Sequence, residues 1–400
     1  MRTGPRIVSV LLIASIGFAS PVVAAEGGWE ITPKSEAALN RGLEWLAKNQ
    51  GPKGNWDNEQ LGLVSMGLLA FLSAGHLPGR GKYGDNAQRA LDYILDNAKP
   101  SGLLNSSVRG HDMYNHGLAT FVLGQVYGMT GDRRVGRALD RALQLIQASQ
   151  CADGGWDYVA VSKPKGHDLS LTVMQAKALR SAMDCGLRVD PAVIDRALRF
   201  VRRCYHPQTG MGVKDPALRE KMGMFSYGGP GGPPPGIAMT AIGVVCLQEF
   251  GQYDDPRLPP AGLYLRHMVK VGEEFFNKRM FHARKLKKED KPPVPSNHVP
   301  FDAYTLYYLS QALYQRGGDD WRIGFTVLRD VLVNRQRIEP RNPTVHGAWE
   351  SNTWWMREKG SMFYGTAIAC FVLAMPNRYL PILQEGRVES LVRPVEAGKK

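Results

Sequence analysis

Cysteine is scarce: there are five in 400 residues, and an odd number cannot all pair within one chain. Their spacings fit no zinc template. Cys246 and Cys370 lie inside apolar runs and read as small buried hydrophobes. Cys151 and Cys204, which end comparable segments, are the two placed to approach each other, and no bridge is assigned to them. Acid is also in deficit, with 37 Asp and Glu against 50 Lys and Arg, a formal net charge of +13. That excess favours an anionic surface or polysaccharide as partner. Zinc-finger spacings and basic helices interleaved with aromatics are missing, which argues against nucleic acid. Long hydrophobic runs are missing too. Ile7 to Ala19 is apolar but too short to span a bilayer, and no later stretch is long enough. With Arg2 and Arg6 before it and Val23 and Ala25 after it, that run has the layout of a secretory signal over residues 1–25. The expectation is a secreted or periplasmic chain starting near Glu26, the alternative being a retained N-terminal anchor.

What is present is a repeat. Gln150, Gly154 and Trp156 precede a long helical pattern, and Gln50, Gly54 and Trp56 repeat the spacing ahead of the apolar run Leu61 to Gly75. Helical patterns alternate in character along the whole chain. In Asp132 to Gln150, Val135, Leu139, Ala142 and Ile146 form one stripe while Arg133, Arg134, Arg137 and Arg141 face away. Leu61 to Gly75 is apolar nearly all round, as a helix buried on every side must be. The amphipathic members are expected near 36–50, 85–99, 132–150, 190–205, 256–272 and 321–336. Their apolar partners are expected near 61–75, 111–130, 167–185, 236–250, 301–316 and 361–375. Gly75, Gly131, Gly186, Gly251 and Gly317 stand where a C-terminal residue of positive φ is wanted, and Asp85, Asp132 and Asp190 where an N-cap is wanted. An open solenoid would leave the second helix of each pair a solvated stripe. None has one, so the pattern predicts an all-α, closed (α/α)6 toroid, six outer helices around six inner ones, as a single domain over 26–400. The Gly228–Gly236 run is expected as a loop over the mouth of the ring. A basic, Pro-rich insertion is expected over 275–300, where Lys278, Arg279, Arg284, Lys285, Lys287, Lys288 and Lys291 outweigh Glu289 and Asp290.

The two Gln-Gly-Trp spacings and the helix pairing resemble the QW repeats of squalene-hopene cyclases and the α/α toroid those enzymes share with protein prenyltransferase β subunits. The chain is most similar to the secreted bacterial prenyltransferase and squalene oxidase repeat proteins, on segments such as Met113 to Thr120 and Tyr307 to Gln315. The resemblance implies that glutamine ends an outer helix, glycine permits the turn and the indole packs on it, tying neighbouring outer helices together. The fourth repeat keeps Gly210 but has Gly212 in place of tryptophan. The last keeps Gly347 and Trp349 and lacks the glutamine. The activity does not follow. The acidic D-x-D-D-T motif of the cyclases corresponds to Asp168-Leu169-Ser170-Leu171-Thr172, where Ser170 and Leu171 replace two acids and a serine hydroxyl is far too weak an acid. The zinc site of the prenyltransferases needs Asp-x-Cys where Asp168-Leu169-Ser170 stands. The D-D-x-x-D magnesium motif of class I terpene synthases is absent. No cofactor or metal is expected.

What remains is a set of polar residues at one register: His111, Asp112, His116, His167, Asp168 and Asp302, with Tyr114, Tyr304 and Tyr364 nearby. Inner helices that run the same way gather their N-termini, and their dipoles, at one mouth. Each aspartate also reads as a plain helix cap. Three functions stay open. A hydrophobic, isoprenoid-like ligand in the central cavity requires an apolar tunnel. A carbohydrate-active hydrolase or lyase requires an acidic, aromatic-lined cleft, with Asp112, Asp168, Asp302 and Glu350 as its carboxylates. A structural or interaction protein requires a packed centre.

Overall fold

The computed structural model describes residues 28–56, 59–105, 111–229, 232–283, 302–351 and 361–384. The secretory pattern and most of the basic insertion lie outside the described residues. The outer helices are α1 (Pro33–Lys48), α3 (Gly84–Asp96), α5 (Arg133–Ala148), α7 (Pro191–Arg203), α10 (Leu258–Ala283) and α12 (Gly318–Arg335). The inner ones are α2 (Leu61–Ser73), α4 (Asp112–Thr130), α6 (Leu169–Asp184), α9 (Ile237–Glu249), α11 (Ala303–Arg316) and α13 (Ser361–Ala374). A short hairpin, β1 (Tyr205–Pro207) with β2 (Gly223–Phe225), and the single turn α8 (Pro216–Arg219) lie between α7 and α9.

The inner helices pack in the cyclic order α2, α4, α6, α9, α11, α13 and back to α2, and α1 lies against α12 and α13 at the seam. The chain is therefore a closed (α/α)6 toroid. Burial follows the sequence pattern. Every residue of α2 is buried, whereas α5 buries Val135, Leu139, Ala142 and Ile146 and leaves its arginines outside. The packing of α4 on α6 depends on glycine: a Cβ on Gly124 would lie 2.3 Å from Ser181 Oγ.

Several local expectations are corrected. Asp132 and Asp190 cap their helices through side-chain bonds, but Asp85 lies within the first turn of α3, whose N-cap is Tyr83. Helix α10 continues to Ala283, past the point where the insertion was expected. Glu273 to Ala283 contains neither glycine nor proline, so nothing stops the helix there. No bridge is assigned to Cys151 and Cys204 from the sequence, and all five cysteines are free.

The Gln-Gly-Trp turns share one geometry. Gln150 Nε2 donates to the carbonyl of Gly154 (3.1 Å) and to that of Val193 on the next outer helix (2.9 Å), while Arg196 Nε donates to Gln150 Oε1 (2.9 Å). Gln50 does the same with Gly54, Asn86 and Arg89. The third glutamine is Gln336, which donates to Gly347 and to Ala38 of α1 and accepts from Arg41. The last repeat thus has its glutamine, eleven residues before the glycine rather than four. Each indole donates to a carbonyl of its own outer helix: Trp56 to Leu46, Trp156 to Ile146 and Trp349 to Leu332. At φ 97°, Gly154 brings its backbone so close that a Cβ would sit 2.0 Å from the Arg196 carbonyl oxygen. In the fourth repeat the β1–β2 hairpin takes the place of this turn.

Candidate functional site

The axis of the ring is occupied. Lys177 of α6 is 2% exposed and reaches Glu249 of α9 at 3.1 Å and Gln311 of α11 at 2.5 Å, with its ammonium 4.3 Å from the centre of the Phe121 ring on α4. Burial pushes this amine down from its ordinary value and the Glu249 carboxylate opposes that. The Tyr308 hydroxyl reaches Met174 Sδ at 3.3 Å from α11 to α6. At the far end the segment after α13 covers the barrel, with Ile382 N donating to Gln125 and the Tyr314 hydroxyl to Leu383. Four inner helices meet on one lysine, so no open tunnel runs through the described centre.

The other end, where α4, α6 and α11 begin, carries the titratable groups. Asp168 is the N-cap of α6, and its Oδ1 accepts from Leu171 N at 3.0 Å and from Ser170 Oγ at 2.6 Å. Its Oδ2 faces His167 Nδ1 at 2.9 Å. The carboxylate is buried, while 50% of the imidazole side chain is exposed. Ser170 Oγ is hydrogen-bonded to the Tyr114 hydroxyl from α4, and the Tyr114 ring lies 5.7 Å from that of Tyr158. The Tyr158 ring stands edge-to-face with His167 at 4.2 Å and with His111 at 5.8 Å. Burial raises the Tyr114 and Tyr158 phenols above their ordinary value, and the nearby Asp168 charge raises them further. The Tyr227 carbonyl accepts from Leu169 N at 2.7 Å, which brings the strand leading into the Gly-rich stretch to the same mouth. Tyr227 is 39% exposed there.

The six residues singled out from the sequence separate into groups. His111, His167 and Asp168 surround Tyr158. Asp302 caps α11, accepting from Tyr304 N and Thr305 N, and lies within electrostatic reach of Tyr227 and Tyr364. Asp112 is not the cap of α4, a position held by His111; its carboxylate accepts from Asn105 Nδ2 at 2.5 Å. His116 is not at the mouth. It is fully buried, its Nδ1 accepting from Leu104 N and its Nε2 donating to the Ala142 carbonyl of α5, both at 3.1 Å. Glu350 pairs with Arg337 at 2.8 Å beside a cavity of about 280 Å³ between α11, α12 and α13. Tyr158, Tyr227 and Gln336 were not singled out. Tyr158 sits in a loop with no periodicity to mark it. Among the described residues no group of His, Cys, Asp and Glu is arranged to hold a metal.

Neither family models nor curated proteins match the chain. Solved structures do. A GH76 α-mannanase from Bacteroides thetaiotaomicron aligns at a TM-score of 0.53 and 12% identity, over 86% of this chain and 95% of that one. An α-amylase from Clostridium perfringens aligns at 0.51 and 8%, over 85% and 97%. A type II terpene cyclase from Scytonema aligns at 0.49 and 14%, over 87% and 100%. At such identities the first two share with this chain the α/α toroid and no more.

Proposed function

We propose that this is an exported glycan-binding protein, with the ring as a filled scaffold and the tyrosine-rimmed mouth as the site. The observation that carries the reading is the contrast between the centre of the ring and its mouth. Below, Lys177, Glu249 and Gln311 close the centre. Above, Tyr158 and Tyr227 present ring faces and edges beside the His111, His167 and Asp168 cluster. Sugars match such a surface, because their C–H faces lie on aromatic rings while their hydroxyls need fixed acceptors and donors. A mannanase of this fold is known in complex with α-1,6-mannotriose, so the toroid is compatible with a glycan ligand. The net charge of +13 favours an acidic chain, and the N-terminal secretory pattern would deliver the protein to where such chains occur. Calorimetric titration with neutral and acidic oligosaccharides tests the reading. Binding is expected, and Tyr158→Ala should weaken it by about tenfold, the equivalent of one lost stacking contact. An unchanged affinity in that variant, or no binding to any glycan, would contradict it.

A second reading, a hydrophobic or isoprenoid-like ligand, is supported by the 280 Å³ cavity, where Leu306, Leu332 and Ile368 lie beside Arg335 and Arg337. Its walls would take an apolar tail and its guanidinium edge an anionic head. Native mass spectrometry of the purified protein tests this one, with a co-purifying lipid as the expected result.

A further inference from the structure

We propose that the mouth is an acid–base centre that cleaves a uronate-containing glycan by elimination, with His167 as the base and Tyr158 as the acid. This rests on the glycan reading above and adds the substrate class and the reaction.

The first argument is what the carboxylates cannot do. Hydrolysis of a glycosidic bond by carboxyl groups needs two of them facing the bond, one of which donates a proton. Asp168 spends both oxygens on Leu171 N, Ser170 Oγ and His167. Asp302 accepts from two backbone N–H groups and from the Thr305 hydroxyl. Asp112 is held by Asn105. Three rim acids are therefore fixed in place by the protein itself.

The second argument is what the imidazole can do. A carboxylate behind Nδ1 takes that nitrogen's proton as a hydrogen bond, which fixes the tautomer and leaves the lone pair on Nε2. Asp168 is buried and anchored to the start of α6, so the ring it holds cannot drift, and half of that ring faces solvent. The Tyr158 ring lies against the same imidazole and 5.7 Å from the ring of Tyr114, itself bonded to Ser170. Both phenols carry their proton at neutral pH, since burial and the Asp168 charge raise them above their ordinary value.

An imidazole base and a phenol acid suit one kind of glycan bond. A neutral pyranose has no C–H acidic enough for imidazole, but in a uronate the carboxyl group acidifies the adjacent C5–H. In the step, His167 Nε2 takes the C5 proton and the C5–H electron pair forms the C4=C5 double bond. The C4–O bond breaks with its pair on oxygen, and that oxygen takes the Tyr158 phenolic proton. The imidazolium and phenolate then exchange protons with solvent, so no oxidant, reductant or water is consumed.

The test uses the full chain with polygalacturonate, alginate and hyaluronan as probes, alongside neutral mannan. Product ends are read by the ultraviolet absorbance of the new double bond and by mass, since eliminated fragments lack the water that hydrolysis adds. Unsaturated fragments from a uronate probe are expected. His167→Ala and Tyr158→Phe should each slow their release by about a hundredfold or more, the usual share of a general acid or base, while calorimetric affinity falls by no more than about tenfold. Equal rates in His167→Ala, or fragments of hydrolytic mass, would overturn the mechanism. Binding of a glycan with no unsaturated product would overturn the mechanism and leave the binding reading standing. No binding to any probe would remove both.

Discussion

His116 shows how far spacing reaches at the scale of one residue. It lies four residues after Asp112, and on a helix that spacing puts two side chains on one face. The expectation that it joins the rim fails because α4 is buried on nearly every side, so no polar face distinguishes mouth from seam. The ring instead holds the turn at Leu104 against α5. Full burial pushes its pKa down to about 4 from the usual 6.5. A histidine buried neutral contributes stability that is complete above pH 6.5 and is lost as pH falls through the folded-state value. We predict a loss of about 3 kcal/mol between pH 7 and pH 4 from this residue, with His116→Gln flattening that slope in urea titrations at the two pH values. Asp168 was legible as a cap and is one. That it also holds His167 and Ser170 was not, because side-chain orientation at a helix start is set by the loop before it.

At the scale of the element, the helix pairs were legible because alternation between a striped and an all-apolar helix has one physical cause, burial on one side or on all. The positive φ of Gly75, Gly131, Gly186, Gly251 and Gly317 follows from the same pattern. The Gln-Gly-Trp turn was legible where its spacing is short and missed where it is long. Gln336 does in the last repeat what Gln150 does in the third, but a longer loop separates it from Gly347. Gln336→Ala should therefore cost what Gln150→Ala costs, about 1–3 kcal/mol for the carbonyls left unpaired. Trp156 is fully buried with its indole N–H bonded. Trp156→Ala should cost about 3–5 kcal/mol and leave glycan affinity in the folded fraction unchanged. Chemical denaturation with all three variants checks both statements, and a stable Gln336→Ala would show that its geometry carries no weight.

At the scale of the whole molecule, ring closure was legible and its contents were not. Lys177 and Glu249 stand on separate helices, and only the closed ring brings them together. Each looks like an isolated charge in an otherwise apolar run. Lys177→Ala should destabilise by about 3–5 kcal/mol, because it leaves Glu249 buried and unpaired. Lys177→Met combined with Glu249→Gln should recover most of that loss, and a double variant as unstable as the single one would mean the pair does more than fill the axis. The central claim, that the mouth and not the barrel's centre is the site, is tested most directly by hydrogen–deuterium exchange with and without a bound acidic oligosaccharide. The account predicts ligand-dependent protection in the backbone around His111, from Trp156 to Ser170, and around Tyr227. Protection confined to the ends of α9 and α11 around Glu249 and Gln315, or to the α11–α13 cavity, would contradict it.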